Sequence, residues 1–173
     1  MIKSVKALRD ERFASVEKKS GVYTWWFKKS CLSNLLKALP TFNISKLQHK
    51  KIDNTDYYAL YFGIAKSCRE RASWHMSQHH SVSSVRSGYL STLRQTLSAL
   101  LGKNMTEAEE TVNGFIEDNC FWEWQYTTSR EEAHDIEAVE LGKNLYPLNI
   151  QGNKMVPREV SHALSALRKE YKK

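Results

Sequence analysis

At 173 residues with 41 % hydrophobic content, the chain is sized for one domain with a packed core, not for a disordered tail. No apolar run approaches the length of a membrane span, the charged stretch from Met1 to Phe13 lacks a signal-peptide core, and Cys31, Cys68 and Cys120 are too few and too scattered for a disulfide framework or a CxxC zinc site; a cytoplasmic protein with no membrane attachment is expected. The net charge of +7 is uneven: 15 Lys and Arg stand against 6 Asp and Glu in residues 1–80, and 11 against 13 in residues 81–173, as for a polyanion-binding surface opposite a solvated acidic face.

Residues 3–19 carry Val5, Leu8, Phe13 and Val16 among charges and predict a weakly amphipathic helix. Val22 to Phe27 is aromatic and β-branched, which predicts a strand. A short helix over 33–39 is stopped by Pro40, a basic segment His49-Lys50-Lys51 follows, and Asp53-Asn54 marks a turn. Tyr57 to Ala65 predicts a second strand, and Lys66 to about His80 a helix. Val85 to Leu101 predicts one helix with a stripe of Leu90, Leu93, Leu97, Leu100 and Leu101, ended by Gly102. Capping-box patterns at Thr106/Glu109 and Ser129/Glu132 open two further helices around a third strand, Phe121 to Thr128. Pro157 suits the first turn of a last helix over 157–171. The pattern is that of a small α+β domain with about three strands.

Two segments stand out, Gly21-Val22-Tyr23 and Tyr61-Phe62-Gly63, each within a strand pattern. Arg71 follows Gly63 by eight residues on the next helix, after Ile64-Ala65-Lys66, and Glu137 lies on a later helix ahead of Pro147-Leu148-Asn149. In these elements the chain resembles the GIY-YIG nucleases. The resemblance covers residues 20–153 of a single domain spanning 1–173, and implies an antiparallel sheet flanked by helices. One departure is evident: the family joins its two motifs by a tight hairpin, whereas residues 24–60 intervene here, so a helix-bearing insertion over 28–56 is expected.

Phosphodiester hydrolysis needs an aligned water, compensation of charge on the phosphoryl oxygens and help for the leaving oxygen. A carboxylate holding a divalent cation, an arginine fork and suitably placed phenols meet those needs. The resemblance thus implies Tyr23 as base or water-orienting group, provided a cation lowers its pKa from about 10. Tyr61 is the second phenol at the phosphate, Arg71 the clamp, and Glu137 the ligand of Mg²⁺ or Mn²⁺. His75, one turn after Arg71, is placed to assist proton transfer. Lys66, Arg69, Lys50, Lys51 and Asn149 are assigned to substrate binding, with DNA as the partner.

Glu132 and Glu140 on the same acidic helix compete with Glu137, and His75, His79 and His80 leave a zinc reading open. Lysines of the insertion are expected to contact the DNA backbone, where about four neutralised phosphates give a salt slope of roughly −3.6. The alternatives are a nucleic-acid-binding protein of this fold that does not cut, and an interaction module using the leucine stripe. Oligomeric state, including a homodimer, stays open.

Overall fold

The computed structural model describes residues 1–173. Its first elements are a short strand, β1 (Ile2–Ser4), and a helix, α1 (Val5–Asp10), capped by Ser4 Oγ, which accepts from Ala7 N at 3.2 Å. The single helix expected over 3–19 is therefore a strand and a shorter helix. The chain leaves α1 through Arg12 and Phe13 at φ 52° and 60°, a left-handed turn that no α-helix continues through.

The aromatic run forms β2 (Gly21–Lys28), buried along nearly its whole length. It leads into α2 (Lys29–Leu35), then strand β3 (His49–Ile52), and returns through Asp53 and Asn54, both at positive φ, into β4 (Thr55–Ala65). The insertion thus contributes a helix and an edge strand. After β4 come α3 (Cys68–Ser77), α4 (Val82–Arg86) and α5 (Thr92–Leu100). The one helix expected over 85–101 is split: Gly88 takes φ 76° and Ser91 starts α5 as its N-cap. Its leucine stripe faces inward, with Leu90, Leu93, Leu97 and Leu100 all buried.

Helix α6 (Glu109–Asn119) begins after a 3₁₀ turn at Met105–Glu107. Thr106 does not cap it; its hydroxyl donates to the Lys173 carbonyl. Strand β5 (Cys120–Tyr126), helix α7 (Arg130–Lys143) and helix α8 (Arg158–Glu170) complete the chain. Ser129 does cap α7, accepting from Glu132 N at 3.1 Å.

The sheet has five strands, not three, in the order β1-β5-β2-β4-β3, every pairing antiparallel. The extra two are the edges, too short to show a period of their own. One face carries Tyr23, Trp25, Phe27, Trp122 and Trp124 into the main core with α1, α3, α5, α6 and α8. The other carries Val22, Trp26, Ala59 and Phe62 against Ala133, Leu141 and Tyr146 of the α7 region. No helix is long and apolar enough to cross a membrane.

Candidate active site

The two motifs lie side by side in the sheet, with Tyr23 opposite Gly63 and Trp25 opposite Tyr61. Each glycine is required by a close approach. A Cβ on Gly21 would stand 2.4 Å from the Gln125 carbonyl oxygen, and one on Gly63 would stand 2.6 Å from the Tyr23 hydroxyl. Between Tyr61 and Ala59 the register slips, leaving Leu60 as an extra residue on β4. Such a bulge re-aims the neighbouring side chain, here Tyr61.

Beyond β3, the far half of β4 has no strand on its outer side. The Pro147-Leu148-Asn149 segment closes that edge instead. Leu148 N donates to the Leu60 carbonyl at 3.0 Å. The Asn149 amide accepts from Phe62 N at 2.9 Å and donates to the Phe62 carbonyl at 2.7 Å, as a partner strand would. Asn149 holds the strand that bears Tyr61.

Tyr23 is 2 % exposed and its hydroxyl lies 2.8 Å from His75 Nε2. His75, equally buried, places Nδ1 2.6 Å from Ser91 Oγ, the N-cap of α5. The ring of Tyr61 stacks beside Tyr23 at 6.3 Å and meets His75 edge-on at 6.1 Å. Burial raises the Tyr23 phenol well above its usual range, more than the neighbouring Arg71 lowers it. Burial, followed by Arg71 and Arg94, holds His75 well below the usual imidazole value. Tyr23 and His75 are therefore a neutral, hydrogen-bonded pair, and the lowered phenol required of a direct base is not found at Tyr23. Tyr61 is also raised by burial, though Arg71 opposes that.

Arg71 stacks over Trp74 with its guanidinium 4.6 Å from the ring centroid and forms no ion pair. It shares a shallow depression with Lys66, which is exposed. Its charge, like that of Glu137, bears on both phenols. Arg69 is turned elsewhere: Nε donates to the Val16 carbonyl at 2.7 Å and Nη2 to the Ala14 carbonyl at 2.8 Å, bracing the turn after α1. Lys50 is engaged by Glu123, at 2.9 and 2.8 Å from its two oxygens, and covers the Trp26 ring at 4.3 Å. Lys51 is exposed on β3. Both sit beside the start of β4, opposite Tyr57 and Asp56, about 13–17 Å along the strand from Tyr61.

The three competing glutamates of α7 separate cleanly. Glu132 accepts from Thr128 N and Oγ1 at 2.6 Å. Glu140 accepts from Tyr146 Oη at 2.9 Å and Asn144 Nδ2 at 2.8 Å. Glu137 accepts no hydrogen bond, has His134 no nearer than 4.0 Å, and lines a cleft of about 540 Å³ with Tyr61. Burial raises its carboxyl above the usual range. A half-buried carboxylate without a donor suits a hard divalent cation, and Mg²⁺ in particular takes one or two carboxylates plus water and phosphate oxygens. No three ligand-type side chains converge anywhere. The zinc reading is not supported by the histidines, because each imidazole is spent: His75 as above, His79 on Glu109 at 2.5 Å, and His80 between the Met105 carbonyl and Arg94 Nε.

Two parts of the site are not evident from sequence: the role of Ser91, and the cleft wall made by Gln95 and Arg168. Ser91 was discoverable as a capping residue after Gly88. Gln95 and Arg168 carry no local signal, since only packing of α8 on α5 brings them to Tyr61. A family model described as the GIY-YIG catalytic domain matches residues 21–170, while no curated protein and no solved structure matches the chain. With that match over most of its length, and both motif segments paired in one sheet beside Arg71 and Glu137, the chain belongs to the GIY-YIG catalytic-domain family.

Proposed function

We propose that the protein is a divalent-metal-dependent endonuclease that hydrolyses phosphodiester bonds in DNA. The observation that carries this reading is Glu137, the one of Glu132, Glu137 and Glu140 left without a donor, lining the cleft beside Tyr61. Glu137 would hold the cation, which when bound supplies Lewis acidity and charge compensation at the phosphate. Tyr61, half-buried at the cleft, presents its hydroxyl to the substrate. Arg71 offers a fork of donors to phosphoryl oxygens, with Trp74 limiting its freedom.

Tyr23 acts as part of a pair. Its hydroxyl is hydrogen-bonded to a neutral His75, which fixes the phenol while Tyr23 and Tyr61 orient the attacking water. Ser91 fixes the ring through Nδ1. Plasmid nicking with Mg²⁺ or Mn²⁺, with and without chelator, tests the reading. Arg71→Ala and Glu137→Ala are expected to bind DNA and lose cleavage. Retained cutting by Glu137→Ala overturns the metal assignment; unchanged cutting by both overturns the function.

A further inference from the structure

Helix α8 forms one wall of the cleft that holds Tyr61 and Glu137. Ser165, Arg168 and Lys169 recur at i, i+3 and i+4 on one face of the helix, Lys172 follows just past its end, and all four line that cleft. Three cations on a single wall face a carboxylate on the other, with about 540 Å³ between them.

Arg168 is fixed in place and largely unused. Its Nη2 donates to Gln95 Oε1 at 2.9 Å. Gln95 is itself buried and donates Nε2 to the Leu90 carbonyl at 2.5 Å, which sets the amide with its oxygen toward the arginine. Arg168 Nε is shut off from solvent without a partner, and no carboxylate pairs with the guanidinium, although Glu137 lines the same cleft. A guanidinium has five N–H donors. With Nε shut away and Nη2 on a neutral amide, Nη1 and the second Nη2 proton remain for a ligand, and a partly buried cation without an anion is costly unless an anion arrives.

We propose that Arg168, flanked by Lys169 and Lys172, is a second phosphate grip, holding a backbone phosphate of the DNA strand next to the one presented to Tyr61, Arg71 and Glu137. The assignment rests on the nuclease reading and adds to it a path for the strand, along the inner face of α8. The arginine matches a phosphate with two parallel N–H bonds, and the lysines supply point charge around it.

The test is equilibrium binding of a short fluorescein-labelled DNA duplex in chelator, measured as anisotropy over a series of salt concentrations. Loss of one phosphate contact lowers the steepness of log K against log salt by about 0.9. Arg168→Gln is expected to show that loss with weaker binding, and Arg168→Lys, which keeps the charge, to restore the slope. An unchanged affinity and slope for a folded Arg168→Gln overturns the proposal. Should that variant fail to fold, Lys169→Gln with Lys172→Gln on the exposed side of the same wall decides: a loss of about 1.8 in slope supports the grip, and no loss overturns it. Binding without any nicking in Mg²⁺ or Mn²⁺ defeats the nuclease reading while the grip still reads out; absence of binding by the wild type defeats both.

Discussion

Gly63 lies directly opposite Tyr23 in the sheet, and a Cβ at that position would meet the phenolic oxygen at 2.6 Å and the carbon bearing it at 2.7 Å. The ring crosses bare backbone, and that is how its hydroxyl reaches His75 Nε2 at 2.8 Å. Trp122 on the neighbouring strand lies tilted against the ring at 5.5 Å and His75 at 5.4 Å, which limits its retreat. The glycine of the second motif thus serves the tyrosine of the first. Gly63→Ala is expected to lower stability by about 1–3 kcal/mol and to abolish nicking. In a Tyr23→Ala background the same change should cost much less. Additive penalties in denaturant melts would show that the clash is not the reason for the glycine.

Glu137 and Glu140 lie on the same helix and make opposite predictions. Burial disfavours the ionised Glu137 and no donor compensates it. Glu137→Gln should therefore abolish metal-dependent nicking while leaving the melting temperature equal or higher. Glu140 holds Tyr146 and Asn144, so Glu140→Ala should cost about 1–3 kcal/mol through the groups it leaves unpaired, with cutting retained below the melting temperature. Loss of cutting in Glu140→Ala together with full activity in Glu137→Gln would reverse the assignment.

The resemblance assigns Asn149 to substrate binding; the structure gives it another task. Its amide oxygen and nitrogen are both committed to the Phe62 backbone. Asn149→Ala leaves both backbone groups of a buried strand unpaired, a cost of about 2–4 kcal/mol. DNA affinity and its salt slope should be unchanged at temperatures where the variant is folded. A fall in DNA affinity with an unchanged melting temperature would make Asn149 a direct phosphate contact.

The parts of the fold that could be read from the chain are those whose cause is local. Val22 to Phe27 and Tyr57 to Ala65 announce strands by residue type, and Ser129 announces a helix by its hydroxyl. Gly21, Gly63, Arg71 and Glu137 could be found by resemblance, yet the reason for each glycine is a contact across strands, with Gln125 and with Tyr23. The break at Gly88 was hidden because Leu90 keeps helical spacing with Leu93 and Leu97 while packing with Val85 in a different cluster. Edge strands of three and four residues are too short for a period to appear. Arg168 lies about 100 residues from Tyr61 in sequence, and nothing local marks such a neighbour.

Stability should fall as the solution is acidified through the histidine range. His75 and His80 are buried, and both are held below the imidazole value of 6.5, first by burial and then by nearby arginines. The unfolded chain therefore binds more protons than the folded one below about pH 6.5, and stability rises with pH there. The contribution is complete above about pH 6.5 and is lost as the pH drops toward the lowered folded values. Glu137, raised by burial, works with the opposite sign, but it is one group against two. Calorimetric melts from about pH 7.5 to about pH 5 should show a falling melting temperature, and His75→Gln should flatten that limb. A flat profile in the wild type would mean that neither imidazole is held neutral by the fold.

The insertion is tied to the sheet through Lys50 and Glu123. Deleting the insertion would not be a clean test of DNA contact, because it removes β3 and, with Lys50, the ion pair to Glu123 and the cover over Trp26. Trp26 Nε1 also donates to Glu123 at 2.8 Å, so one carboxylate ties the insertion to β2 and β5. With both partners about one-third exposed, the pair is worth little as charge alone, and Lys50→Ala should cost about 0.5–1.5 kcal/mol, cation–π contact included. It should leave the salt slope of DNA binding where it was. Lys46 and Lys51 are exposed, and neither forms an ion pair. If the insertion touches the DNA backbone, Lys46→Ala with Lys51→Ala lowers the slope by about 1.8 at an unchanged melting temperature. An unchanged slope would confine the duplex to the cleft between α7 and α8, and the insertion to holding the start of β4.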